Sequence, residues 1–255
     1  MTLRSVDKSS PEALWNLNCQ QTLANMVIDP LSEPMIWSLV DLTLLNETAS
    51  MTDIDNLVTK AVQNQVAAIC VYPHHLTTIP NISTLKRATV ANFPTGNQSN
   101  DRVLANIHDA ITQYHADEID YVFPYQIYLA GQTSDALAAC HTAYQLCKQH
   151  QRTFKVIMET GAFPSSELIY QLSLELIHQG CDFLKTSTGK ITTGATIPAA
   201  FAILSAIHDT QSSCGIKISG GIKTYDQARQ YVSLAQHVLG LDAKKDWFRI
   251  GTSGL

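Results

Sequence analysis

Two lysines toward the C-terminal end of the chain, each closing a short apolar run, carry the strongest chemical signal. Lys185 lies in Cys181-Asp182-Phe183-Leu184-Lys185-Thr186-Ser187-Thr188-Gly189-Lys190, and Lys217 in Gly215-Ile216-Lys217-Ile218-Ser219-Gly220-Gly221. A lysine at the end of a buried strand loses water, which disfavours its ammonium form. A second lysine facing it disfavours that form further. At about 4 Å, two ammoniums repel by at most about 4 kcal/mol with an effective dielectric near 20. An ordinary lysine, with a pKa of about 10.4, is neutral in about one molecule in 2,500 at pH 7, and each unit of depression multiplies that fraction about tenfold. A neutral amine attacks a carbonyl, loses water to give a Schiff base, and leaves an iminium that draws electrons from a C–C bond. One strand-end lysine reads as readily as a charge snorkelling to solvent. Two on neighbouring strands favour chemistry, and the residues alone leave them interchangeable as nucleophile.

Other residues group around that pair. Asp120, in Ala116-Asp117-Glu118-Ile119-Asp120-Tyr121-Val122, shares a face with Glu118 and Val122 by the two-residue period. An inward carboxylate beside ammoniums serves as a proton shuttle or as a structural salt bridge, and the residues leave both open. Asp117 and Glu118 precede the expected strand and are expected in solvent. Glycine-bearing loops follow both lysine strands, at Ser187-Thr188-Gly189-Lys190 and Ser219-Gly220-Gly221, and Gly251-Thr252-Ser253-Gly254 ends the last strand. Loops of this kind present backbone N–H groups to a phosphate at a barrel mouth. Leu184 and Ile191 exclude a Walker A loop. His74-His75 has no partner at metal-ligand spacing. Cys70, one residue before the end of the second strand, is a candidate for attack by unsaturated aldehydes if it borders the pocket; a buried inert thiol is the commoner case.

Positioning these residues needs a repeating frame. Apolar, β-branched runs near 37–44, 66–71, 87–92, 118–123, 154–159, 182–186, 214–218 and 247–251 predict strands. Stretches of helical period near 52–64, 100–114, 133–150, 164–179, 195–210 and 223–238 alternate with them. Thr52, Asn100, Ser134, Ser165 and Thr224 are the expected helix caps. Eight alternating units predict parallel βαβ packing, closed into a (β/α)8 barrel in preference to an open doubly wound sheet. Catalytic groups then emerge at the C-terminal strand ends, where Asp41, Thr43, Cys70, Asn92, Asp120, Glu159, Lys185 and Lys217 fall. Residues 10–28 predict a further helix capping the barrel bottom, within an N-terminal extension of residues 1–35 on a single domain of residues 1–255.

With 255 residues, 45% of them hydrophobic, one large core is within reach, and a net charge of −5 without a basic run excludes a nucleic-acid or anionic-membrane footprint. The six cysteines form no Cys-x-x-Cys pair, so they read as reduced thiols rather than as disulfides or a zinc site. No apolar run has transmembrane length and the N-terminus lacks a signal-peptide core, which together predict a soluble cytoplasmic protein.

Taken in order, the motifs resemble the deoxyribose-phosphate aldolase family of class I, Schiff-base aldolases. The resemblance rests on Asp41-Leu-Thr-Leu-Leu-Asn46, Ala68-Ile-Cys-Val-Tyr-Pro73, Asn92-Phe-Pro-Thr-Gly-Asn97, the Asp120 segment, Lys155-Val-Ile-Met-Glu-Thr-Gly161, and the two lysine segments. It implies a homo-oligomeric TIM barrel, a dimer first, needing no metal or organic cofactor. The implied reaction is the reversible cleavage of 2-deoxy-D-ribose 5-phosphate to D-glyceraldehyde 3-phosphate and acetaldehyde in deoxyribonucleotide catabolism. Position by position, the resemblance makes Lys185 the Schiff-base lysine, Lys217 the charge that depresses its pKa, and Asp120 the proton carrier. It places Asp41, Thr43 and Lys190 at substrate hydroxyls or a water network, and Gly189, Gly220, Gly221, Gly251 and Ser253 at the phosphate.

The chain departs from the family pattern twice. Ile218-Ser219 stands where Pro-Ala is common, which loosens the backbone and adds a hydroxyl near the phosphate loop. The sequence also stops at Leu255, where family members usually continue into a final helix and a tyrosine-ended tail. The resemblance therefore implies an abbreviated or missing eighth helix, apolar wall left for an N-terminal helix or partner subunit to cover, and a weaker hold on phosphate. A Schiff-base aldolase for another sugar phosphate and a non-catalytic sugar-phosphate-binding barrel are the competing expectations.

Overall fold

The structure, a computed structural model, describes residues 11–255; residues 1–10, the start of the expected N-terminal extension, lie outside the described residues. The chain runs through α1 (Pro11–Asn25), α2 (Glu33–Ser38), β1 (Val40–Leu44), α3 (Met51–Gln63), β2 (Ala68–Val71) and β3 (Lys86–Ala91). It continues through α4 (Asn100–Thr112), β4 (Glu118–Val122), α5 (Tyr125–Leu129), α6 (Thr133–Gln149), β5 (Thr153–Ile157), α7 (Ser166–Gln179) and β6 (Phe183–Lys185). It ends with α8 (Ile197–Thr210), β7 (Gly215–Ser219), α9 (Tyr225–Leu239) and β8 (Phe248–Thr252). The eight strands pair in parallel in sequence order, and β8 closes on β1, giving the expected TIM barrel. Apolar residues fill the layer between sheet and helices, with Leu42, Ile69, Ile119, Val156, Leu184, Ile216 and Ile250 fully or almost fully buried. At the catalytic end the inside of the barrel is instead charged. Those inward charges set the chemistry below.

Strand register follows the period-two pattern, while the ends shift by local backbone chemistry. The third and fifth strands stop before Asn92 and Glu159, both of which take left-handed backbone with φ of 55° and 56°. Asn92 uses that turn to donate from Nδ2 to Val122 O and to accept the Gln98 N–H, pinning its loop to β4. Among the expected caps, Ser165 and Thr224 accept from Leu168 N and Gln227 N. Ser50 replaces Thr52, because Asp53 completes a capping box with it. Ser99 and Gln132 stand at the starts of α4 and α6 instead of Asn100 and Ser134, and neither caps with its side chain.

Two expectations at the N-terminal side need correction. The first extra helix does not cap the barrel bottom. It lies outside the helical layer against α7, α8 and α9, with the Trp15 ring 4.9 Å from Tyr170 and 5.9 Å from Phe201. Glu12 accepts the Ser166 N–H at the start of α7. The aromatic surface of the neighbouring helices selects that seat. The expected strand at 37–44 also begins late, since Pro34 starts the short helix α2, which carries Trp37.

Among the described residues no helix follows β8, and residues 29–38 occupy the flank of α9 there. Asp29 N donates to Ser233 Oγ, Arg229 Nε to Leu31 O, and Trp37 Nε1 to Tyr225 Oη. On the opposite side the Lys60 ammonium of α3 sits 5.2 Å above the Trp37 ring. The apolar wall beside β8 is thus covered from within the chain. Trp37→Ala is expected to lower unfolding free energy by about 3–5 kcal/mol. Chemical denaturation checks this; a loss under about 1 kcal/mol would mean that the segment does not hold the wall.

Candidate active site

Register alone brings the reactive groups together. Lys185 pairs with Lys217 across β6 and β7, Asp120 pairs with Lys155 across β4 and β5, and Lys217 pairs with Arg249 across β7 and β8. Parallel strands keep such partners on the same face, here the barrel interior. Lys185 Nζ and Lys217 Nζ each donate to the same oxygen, Asp120 Oδ2, at 2.7 Å. The two nitrogens therefore lie no further apart than twice that distance. Lys217 Nζ also pairs with Asp41 Oδ2 at 2.5 Å. Lys155 Nζ donates to Asp120 Oδ1 at 2.9 Å and to Glu118 Oε2. Arg249 spans Asp41 Oδ1 at 2.6 Å and Glu118 Oε1 at 3.1 Å.

The balance of this network singles out Lys185. Three carboxylates, Asp41, Glu118 and Asp120, face four cations, Lys155, Lys185, Lys217 and Arg249, all nearly or fully buried. With every group ionised the cluster carries one surplus positive charge; with a neutral Lys185 it carries none. Burial costs each ammonium its hydration. For Lys217 the charges of Asp120 and Asp41 outweigh that cost and raise its pKa. Lys155 is raised by Asp120, Glu118 and Asp41 against the same burial. For Lys185 burial prevails over the opposing charge of Asp120, with Lys217 repelling it further and Cys70 opposing less, so its pKa is lowered. Both Asp41 and Asp120 resist burial through their cations and stay well below the usual carboxylate range.

Above this cluster lies a cavity of about 290 Å³, lined by Thr43, Lys185, Gly189, Lys190, Gly220, Gly221, Gly251 and Ser253 together with Thr188, Ser219 and Lys223. No carboxylate lines it. Among the described residues, the N–H groups of Gly189, Gly220, Gly221 and Ser253 have no protein acceptor. Free amides beside the Lys190 and Lys223 side chains suit a phosphate. Gly251 has a second use: a Cβ there would meet Ser219 Cβ at 2.9 Å and Lys217 Cε at 3.2 Å, so its hydrogen leaves room for the lysine stem.

Several expectations change. Asp41 does not reach the cavity wall; both its oxygens are committed beneath it, to Arg249 and Lys217. Glu118 is not solvated but almost fully buried inside β4, whereas Asp117 remains partly exposed near Arg87 and Arg152. The Ser219 hydroxyl donates to Ser187 O at 2.5 Å and its N–H to Thr186 Oγ1, so it ties two loops rather than offering a free donor to phosphate. The Cys70 thiol is fully buried and pushed up by burial and by the Asp120 charge, which keeps it protonated. His74 and His75 hold the loop after β1 through Glu47 O and Asn46 O. Among the described residues no cluster of His, Cys, Asp or Glu is placed to hold a metal ion.

Lys155, Glu118 and Arg249 were not among the sequence-predicted site residues. Their signal is alternation: each sits at an inward position on a strand that also ends in a functional residue. Lys223 and the pair Glu159–Thr188 also went unassigned. Glu159 is fully buried at the end of β5 and accepts the Thr188 N–H at 3.2 Å and the Thr188 hydroxyl.

A family model for the DeoC/LacD aldolases matches residues 35–252. The chain belongs to this family. A curated deoxyribose-phosphate aldolase of Agrobacterium fabrum is 37% identical over 225 residues, covering 86% of each chain. Among solved structures, a Coccidioides immitis protein described provisionally as a deoxyribose-phosphate aldolase aligns with a TM-score of 0.78 at 23% identity, covering 96% of this chain and 95% of that one. The tetrameric deoxyribose phosphate aldolase of Aeropyrum pernix aligns with a TM-score of 0.73 at 24% identity, covering 93% of each chain. At those identities the structures speak to the shared barrel.

The surplus charge generates a sign. A lysine with a folded pKa below its unfolded value opposes folding at neutral pH, and the loss disappears as pH rises through the unfolded value, about 10.4. A lysine with a raised folded pKa stabilises below its unfolded pKa, and that contribution fades as pH climbs through the folded one. Lys185→Met is therefore expected to leave stability at pH 7 unchanged or higher. Lys217→Met takes one cation from two buried carboxylates, leaving Asp41 to Arg249 and Asp120 to Lys155 and Lys185, and is expected to cost stability, by at most about 3–5 kcal/mol. Denaturant titration of both variants decides; the reverse order would refute the charge balance.

Proposed function

We propose that the chain cleaves 2-deoxy-D-ribose 5-phosphate reversibly to D-glyceraldehyde 3-phosphate and acetaldehyde, through a Schiff base on Lys185. The observation that carries this reading is the shared Asp120 oxygen, with one lysine lowered and the other raised in pKa. The 37% identical deoxyribose-phosphate aldolase and the family match support the choice of sugar. The cavity lined by glycine amides and the Lys190 and Lys223 side chains supports a phosphate at the far end of the substrate.

In the proposed sequence, the neutral amine of Lys185 attacks the C1 aldehyde and the carbinolamine loses water to form the iminium. Asp120, through an intervening water, takes the proton of the C3 hydroxyl. The C2–C3 bond then breaks, C3 leaves as the aldehyde of glyceraldehyde 3-phosphate, and the bonding pair enters an enamine on Lys185. Returning the proton to C2 gives the acetaldehyde iminium, and water hydrolyses it to release acetaldehyde and the amine. Lys217, held charged by Asp41 and Asp120, repels the ammonium form of Lys185. Thr43 and Lys190 fall to the substrate hydroxyls in this reading, and Gly189, Gly220, Gly221, Gly251 and Ser253 to the phosphate. Asp41 acts from below through Lys217. No metal or organic cofactor enters the sequence.

The same reading takes in a cytoplasmic place in deoxyribonucleotide catabolism and carbohydrate degradation, and a homo-oligomer, a dimer first. Free cysteines throughout the described residues support a reducing compartment. Among the described residues no helix is long and apolar enough to cross a membrane.

Incubation with acetaldehyde and borohydride is expected to reduce the Schiff base to an N-ethyl group on Lys185, mapped by peptide mass. Binding of the sugar phosphate without trapping would support a non-catalytic barrel instead, and faster turnover of a ketose phosphate would support a different aldolase. With cleavage observed, kcat/KM is expected to fall on acidification along one limb, set by the lowered pKa of Lys185, because Asp120 stays ionised and Lys217 charged. Replacing Lys217 by Leu should move that limb to higher pH or abolish turnover; a limb that stays in place would remove Lys217 from the tuning role.

A further inference from the structure

We infer that Glu159 is a positioning residue for the phosphate end of the pocket, acting through Thr188 on the loop that carries Gly189 and Lys190. This rests on the aldolase reading and deepens it by naming what holds the anion-binding loop in shape. Glu159 does not line the cavity; Thr188 does. The carboxylate receives both donors of Thr188, its N–H at 3.2 Å and its hydroxyl. Thr188 Oγ1 in turn accepts the Lys190 N–H at 3.0 Å. One buried carboxylate therefore fixes the amides on either side of Gly189, whose own N–H is left without a protein acceptor.

The surroundings fit this role. Glu159 adopts φ 56° and ψ 55°, a left-handed conformation that a residue with a Cβ keeps only where its neighbours hold it. The next residue, Thr160, donates its N–H to Thr186 O at 2.8 Å, and a Cβ on Gly161 would lie 2.2 Å from Thr193 O. The turn after β5 is thus fitted against the loop after β6 along three successive residues. An amide in place of the carboxylate would turn an NH₂ donor toward a threonine that presents two donors, and the loop would have to reshape.

The test measures the unmutated chain, Glu159→Gln and Glu159→Gly in parallel. Inorganic phosphate is titrated calorimetrically, deoxyribose 5-phosphate and unphosphorylated deoxyribose are assayed for cleavage, and acetaldehyde is trapped with borohydride. Both variants are expected to raise the phosphate Kd and the KM for the phosphorylated sugar about tenfold, the effect of losing one charge-assisted hydrogen bond. Turnover number, trapping, and kcat/KM for the unphosphorylated sugar are expected to stay within about twofold. Glycine accepts left-handed backbone more readily than glutamate, so a purely structural role predicts an unperturbed Glu159→Gly variant. Should either variant fail to fold, Thr188→Val should reproduce the phosphate defect. Where both fold, Glu159→Gln and Thr188→Val should combine to less than the sum of their effects.

Unchanged phosphate Kd and KM would overturn the proposal. So would a fall in turnover and trapping at constant phosphate affinity, which would set the Glu159 charge to work on Lys185 instead. Absence of phosphate binding by the unmutated chain would also overturn it. If the unmutated chain traps no acetaldehyde, the aldolase reading falls, while the phosphate titration still decides the role of Glu159.

Discussion

One oxygen atom, Asp120 Oδ2, accepts from two buried lysines, and much of the catalytic end is arranged to make that possible. A carboxylate fully removed from water stays ionised only if cations surround it, and two ammoniums on one oxygen repel each other unless further carboxylates share the load. Lys155 therefore takes the other Asp120 oxygen, Asp41 takes Lys217, and Arg249 closes the ring between Asp41 and Glu118. This arrangement draws on β1, β4, β5, β6, β7 and β8, so it exists only when the barrel is closed. A slip of one residue in any of those strands would turn its charge outward into the apolar layer under the helices. Register and electrostatics specify each other here.

The loops above the cluster are held by a second kind of bond, short ties between neighbouring turns. Ser219 joins the end of β7 to the loop after β6 through Ser187 O, Glu159 joins the turn after β5 to the same loop through Thr188, and Asn92 joins the turn after β3 to β4. Each tie satisfies donors that a buried loop would otherwise leave unpaired. The glycine amides escape this pairing. A pocket whose Thr188 and Ser219 side chains are tied and whose glycine amides are free offers an uncharged cradle beside the Lys190 and Lys223 side chains. Phosphate can then be held without a counter-charge so buried that it would join the network below.

The barrel and the lysine pair were legible in the sequence because both are local patterns: apolar runs at regular intervals, and a charged residue at the end of each. Period two on a single strand was enough to place Asp120 inward. Its extension to Glu118 fails on a boundary, since a glutamate following an aspartate reads as the solvated lead-in to a strand. Lys155 and Arg249 stayed hidden for a different reason. Nothing along the chain says that β5 will set Lys155 opposite Asp120, or that β8 will close on β1 and bring Arg249 to Asp41. Closure is a long-range event. Trp37 was misread because an apolar run before β1 fits a strand as well as a helix, and only Pro34 marked the difference.

The choice between the lysines also follows from closure. By position Lys185 and Lys217 are nearly equivalent: inward strand residues, register partners, donors to the same oxygen at the same distance. Asp41 breaks the equivalence. It stands beside Lys217 and gives that ammonium a second carboxylate, so two anions hold its proton, while Lys185 shares a single oxygen with a rival cation. Whichever amine must become neutral, the cluster surrenders the proton held by fewer charges. Asp41 itself is held in place by Arg249 from β8, across the seam where the barrel closes. On this argument the choice of Lys185 as the proposed nucleophile depends on the strand pairing that closes the barrel, at a distance from the amine itself.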